Sequence, residues 1–145
     1  MRAVLVVCVV VTCVAACGGN SVAPSEVSTT MNVAGTWNGT FGSSNNPTQQ
    51  VKLVLTQSGS AVTGSWDSSS VSWTGQVSGA VSGSSFSGQF TFSGTAANGT
   101  VCTGMANVSG SVTASTMTLT SASGVVGGTC PAPLPTGVKI DAQRQ

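Results

Sequence analysis

The chain has 145 residues, 40% of them hydrophobic and only 5% charged, with a formal net charge of +1 and neither histidine nor tyrosine. So few basic residues give no electrostatic hold on a phosphate backbone, which excludes nucleic acid as a partner. The lack of imidazole and the scarcity of carboxylates argue equally against general acid–base catalysis and against a metal centre, so neither catalytic residues nor a cofactor is expected.

The first element is an apolar run from Ala3 to Ala16 behind a single basic residue, Arg2. It is shorter than the ~20 residues a membrane-spanning helix needs. A short apolar run with small residues at its end has the layout of a secretory signal. That end reads Val14-Ala15-Ala16-Cys17, which resembles the lipobox of bacterial lipoproteins. The resemblance implies cleavage of residues 1–16, loss of Cys8 and Cys13 with them, and a diacylglycerol on the sulfur of Cys17. Gly18 follows where an aspartate is absent, which in a Gram-negative envelope implies onward transport to the outer membrane. Stable anchoring then comes from the two or three acyl chains of such a lipoprotein, since one alone binds only marginally. An ordinary cleaved signal with a chance cysteine is the alternative.

Without residues 1–16 the charged groups are Lys52, Lys139 and Arg144 against Glu26, Asp67 and Asp141, which balance. No basic patch remains for anionic lipid, so membrane contact is expected through Cys17 alone. Of the remaining cysteines, Cys102 and Cys130 form an even pair once Cys17 is acylated. In an oxidising compartment a disulfide between them is expected, and closing a loop of about 28 residues is worth on the order of 3–4 kcal/mol. From Gly18 to Ala34 the chain is rich in Ser, Thr, Gly and Pro without apolar period. This segment, residues 17–34, reads as a flexible tether with a reach of about 20–25 Å.

Residues 35–145 form the folded domain, and there the hydrophobic period is two. In WTGQVSGAV (73–81) the odd positions hold Trp73, Val77 and Val81, with hydroxyls and amides between them. In SFSGQFTF (85–92) the apolar set is Phe86, Phe90 and Phe92. Frequent glycine and interleaved β-branched residues exclude helix. Turn signals then divide the chain into eight strands near 35–41, 51–57, 61–66, 72–81, 85–92, 101–113, 116–122 and 137–142. Tight turns fall at Ser58-Gly59-Ser60, Ser82-Gly83-Ser84 and Ala114-Ser115, with longer loops at Ser43–Gln50 and Ser93–Gly99. A weak repeat relates the segments from Val77 and Val108, as successive hairpins of one meander.

A meander of this size must bury one face and dispose of two edges, and an up-and-down barrel of about eight strands does both. Glycines on the inward parity (Gly39, Gly64, Gly75, Gly79, Gly88, Gly104, Gly110) make room for large rings and let the strands coil. A two-sheet sandwich remains an alternative. A transmembrane barrel would show the same alternation turned inside out, but several strands are too short for it.

At Gly35-Thr36-Trp37 the sequence resembles the calycins, the lipocalin, fatty-acid-binding and avidin families. GTWNGTFGS (35–43) is similar to the first strand of avidins, and VTGSWDS (62–68) to their third. The resemblance implies a ligand-holding barrel with a first-strand Trp37 packed under a basic side chain from the last strand, Arg144 or Lys139. On the matching positions Ser43 keeps a hydroxyl of the biotin site. Trp66 stands where a tyrosine is expected and Gly39 where an asparagine is expected, so biotin is not the implied ligand.

In the domain Asp67 reads as part of a turn, DSSS, and Lys52 lies on the polar parity of its strand, so no serine has a base beside it. Three Asn-x-Ser/Thr sequons, at Asn38, Asn98 and Asn107, read as composition. The expected function is therefore non-catalytic: a lipoprotein of the cell envelope whose barrel binds a small apolar ligand, or a partner, at its mouth. Candidate pocket residues are Trp37, Ser43, Trp66, Trp73, Phe86, Phe90 and Phe92. The rival reading is a structural or interaction module with a fully packed core.

Overall fold

A computed structural model of the chain describes residues 29–42, 49–95, 99–128 and 138–145, the side chains of 122–128 excepted. Eight strands follow one another: β1 (Gly35–Gly42), β2 (Gln49–Ser58), β3 (Ala61–Ser68), β4 (Trp73–Ser82), β5 (Ser85–Thr95), β6 (Val101–Val112), β7 (Thr116–Gly128) and β8 (Lys139–Arg144). Each pairs antiparallel with its sequence neighbour, and β1 pairs with β8, so the meander closes into a barrel. The sandwich alternative is thereby set aside.

The two-residue period explains the wall. Val51, Leu53 and Leu55 on β2 are buried while Lys52, Val54 and Thr56 face out, and β4 and β5 repeat the scheme with Val77, Val81, Phe86, Phe90 and Phe92 inside. Hydroxyl and amide side chains occupy the outer parity, with Val54, Val101 and Met105 the exposed large hydrophobics among the described residues. An outer wall of this kind lacks the apolar band that a membrane-spanning barrel turns to lipid.

The hairpins at Gly59-Ser60 and Gly83-Ser84 each begin with a glycine at positive φ, 59° and 56°. A glycine at the first central position lets the turn follow the right-handed twist of its strands. Glycines inside the strands serve close approach. A Cβ on Gly39 would stand 2.0 Å from the Asp141 carbonyl oxygen, and one on Gly110 would stand 2.0 Å from that of Thr118. At Gly79 the nearest atoms are the Ser87 carbonyl and the ring of Phe86. The inward glycines thus bring neighbouring backbones together at least as much as they clear space for rings.

One end of the barrel is closed. Val33 is fully buried, and its carbonyl accepts the indole N–H of Trp37 at 2.9 Å. Gln57 ties the same segment down, its Oε1 accepting from Val33 N at 2.7 Å and its Nε2 donating to the Met31 carbonyl at 3.0 Å. Met31 N also donates to the Gly83 carbonyl in the neighbouring hairpin. Arg144, opposite Trp37 in the β1–β8 register, lies 4.8 Å from the indole centroid and donates through Nη2 to the Asn32 carbonyl. Arg144, not Lys139, is the basic residue over Trp37; Lys139 instead pairs with Asp141 at 2.8 Å on the outer wall.

Four differences from the sequence reading follow. The tether was expected to run to Ala34, yet Met31–Ala34 belong to the closed end. Asp67 was assigned to a turn, but β3 continues through Ser68 and leaves Asp67 on its outer face, opposite Lys52. β5 continues to Thr95, and β7 runs to Gly128 past a one-residue bulge: Val108 stands opposite Ser121 and Asn107 opposite Ser123. The extra residue shifts the parity of β7, which hides its second half from a search for unbroken alternation.

Two outcomes check this architecture. Gly39→Ala should lower stability by about 1–3 kcal/mol in urea unfolding, because a methyl group must push β1 from β8. Arg144→Gln should cost about 1–2 kcal/mol through loss of the cation–π contact and the bond to Asn32; Lys139→Gln, which breaks an exposed pair, should cost less than about 0.5 kcal/mol.

Candidate functional site

At the end opposite Val33 the described side chains leave part of the barrel interior open. A cavity of about 90 Å³ opens between the strand ends, walled by Phe41, Trp66, Trp73, Phe90 and Phe92 with Val51, Val108, Val138 and Ile140 completing it. Strand parity puts these residues there: each lies an even number of positions along the chain from a buried residue nearer the closed end. Phe41, for instance, follows Trp37 and Gly39 along the inner side of β1.

The rings are held in fixed relations. Trp73 stacks on Phe92 with centroids 5.4 Å apart and planes 12° from parallel. Phe41 meets Trp66 edge-on, at 5.8 Å and 67°. Trp73 also lies flat over Gly94, its partner in the β4–β5 register, so close that a Cβ there would stand 2.4 Å from the indole. A ring covering a strand glycine restores the packing that the glycine lacks.

Polar groups of Ser121 and Trp66 in the described wall are already engaged. Ser121 is buried, and its Oγ accepts from Val138 N at 3.1 Å while its own N–H donates to the Val138 carbonyl at 2.8 Å. The indole N–H of Trp66 donates to the Thr91 carbonyl at 2.8 Å. Near the rim, buried Ser68 bonds Ser70, whose Oγ accepts from Gln50 N at 3.0 Å. What the described walls offer a guest is therefore dispersion and aromatic faces, with few directional bonds. Among the described residues the charged groups lie outside this cavity. Asp141 is on the outer wall, its carboxyl held below the usual 3.8 chiefly by the hydrogen bond from Lys139, which outweighs the opposing effect of burial.

The candidate residues divide in two. Trp66, Trp73, Phe90 and Phe92 line the cavity. Trp37 and Phe86 do not: Trp37 is sealed under Val33 and Arg144, and Phe86 packs against Gly79 and Gly88 in the closed half. Parity shows that a residue points inward, but not at which height a cavity begins. Phe41 was missed as a lining residue, although its parity with Trp37 marked it as inward. Ser43, Cys17 and Cys130 lie outside the described residues. Cys102 is buried and disulfide-bonded.

In comparisons with protein families, curated proteins and solved structures, no match to this chain was found. The closed eight-stranded antiparallel meander, with Trp37 under Arg144 at its sealed end, is compatible with a calycin-like fold.

Trp66→Phe tests the role of the indole nitrogen. It keeps the cavity wall but leaves the Thr91 carbonyl without its donor, and should cost about 1–2 kcal/mol. Hydrogen exchange should speed up at Gln76 more than at Leu53.

Proposed function

We propose that the chain is an envelope lipoprotein, anchored through Cys17, whose barrel holds a small apolar molecule in its open end without catalysis. The observation that carries this reading is the apolar, aromatic-walled cavity above a closed floor. Its volume of about 90 Å³ is well below the ~300–1,000 Å³ of drug-sized pockets. The occupant that fits is therefore a single ring or a short alkyl segment. The small volume is also what favours the second reading, an interaction module of the envelope that takes a partner at its rim.

The anchor and the cavity have a defined relation under this reading. The segment leading from Cys17 joins the barrel at Met31, on the closed end. A lipid at Cys17 then places the mouth on the side away from the tether's attachment, open to what diffuses in the surrounding compartment.

Saturable quenching of tryptophan fluorescence by toluene or a short-chain alcohol is expected for the chain from Gly18 onward, which retains every described residue. Phe92→Ala should weaken the response about tenfold, having removed one face of the Trp73 stack. Absence of saturable quenching, with no small molecule retained in native mass spectrometry, would leave the interaction module. Separately, Cys17→Ser should abolish fatty-acid incorporation and leave the signal uncleaved by the lipoprotein route. Unchanged fatty-acid incorporation and processing would contradict the anchor.

A further inference from the structure

The β4–β5 ladder is interrupted without a slip in register. Thr74 pairs with Ser93 and Val77 with Phe90, and between them Gly75 and Gln76 make no ladder pairs with Phe92 and Thr91. Ladder pairing stops for two residues and resumes in step. Side chains bridge the gap: Gln76 N donates to the Thr91 hydroxyl at 3.0 Å, and the Thr91 carbonyl accepts the Trp66 indole N–H. Gly75 is required there, since a Cβ would stand 1.8 Å from the Thr91 carbonyl oxygen and 2.5 Å from Trp66 Nε1. A sheet that gives up its own ladder bonds and restores them with a tryptophan from the next strand breaks a local rule in the way functional sites do.

Outside this gap lies a groove of about 430 Å³ between the outer faces of β3, β4 and β5, a volume within the range of ligand sites. Its sides carry Ser65, Asp67, Thr74, Gln76, Thr91 and Ser93, and its floor is the strand backbone around Gly75, next to Trp66 and Phe92, which are both buried. The geometry points to this groove as a second ligand site, distinct from the mouth, for a neutral hydroxyl-bearing ring of the size of one sugar residue.

The chemistry of the walls narrows the class. A carboxylate accepts from two neighbouring hydroxyls at once, and an amide both donates and accepts. Together with the hydroxyls these groups match the alternating donors and acceptors of a polyol ring. No basic residue lines the groove, which disfavours phosphates and carboxylates, and its sides are too polar for an alkyl chain. The bare backbone at Gly75 and the small side chains around it leave room for the ring. The inference does not rest on the mouth: the groove opens on the outer wall and would stand with the inner cavity filled.

The test is an NMR titration of the isotopically labelled chain from Gly18 onward with N-acetylglucosamine and methyl β-glucoside. The expected result is saturable shifts of the Trp66 indole N–H and of the Gly75, Gln76 and Ser93 amides, with Val138 and Ile140 unmoved. Asp67→Asn and Gln76→Ala, both on the outer face and so compatible with folding, should each weaken binding about tenfold. No saturable shift with either sugar would overturn the proposal, as would shifts centred on Val138 and Ile140 or equal affinity in both variants. Saturation by tetramethylammonium in place of the sugars would make Asp67 a cation subsite and equally refute it.

Discussion

The pairing of β1 with β8 is the constraint on which the rest depends. An antiparallel meander with one apolar face has two open edges, each a row of unpaired backbone groups. Joining Gly35–Gly42 to Lys139–Arg144 removes both, and it also turns the apolar face into an enclosed interior. Closure requires the strands to coil, and coiling brings backbones to distances that only glycine tolerates, as Gly39 does against Asp141. The abundance of glycine is thus tied to closure before it is tied to any ligand.

Closure also fixes the two ends differently. On one side the chain entering at Met31 lays Val33 across the opening, with Trp37, Gln57 and Arg144 binding it there. The bond from Arg144 to Asn32 joins residues 112 positions apart, so the sealed end forms only when the first and last strands are both in place. On the other side Phe41, Trp66, Trp73, Phe90 and Phe92 wall a cavity that the described side chains leave open. The cavity is the remainder of a core packed from one end, and its chemistry follows from the parity that made the core. Trp66 is the member that links inside to outside, with its ring in the cavity wall and its N–H closing a break in the sheet.

Much of this was legible in the sequence because alternation is a local property. The eight strands, the inward set and the two Gly-Ser hairpins follow from residues within ten positions of one another. Height along the barrel is not local, so Trp37 and Phe86 could not be separated from Trp73 and Phe92 by parity alone. The end of the tether was misplaced because Val33 is a single apolar residue, whose burial depends on Gln57 and Arg144. The second half of β7 was lost to the bulge after Ser121, which changes parity midway. The interrupted pairing between β4 and β5 left no mark except Gly75, indistinguishable in sequence from the other inward glycines. The group that bonds there, the Trp66 indole, comes from another strand.

Closure can be observed directly through backbone NOEs between the first and last strands. The account predicts contacts joining Asn38 to Gln143 and Thr40 to Asp141, with the β1 and β8 amides exchanging as slowly as those of β2. Absence of those contacts, together with fast exchange along β1 and β8 as in free edges, would contradict the closed barrel and the interior built upon it.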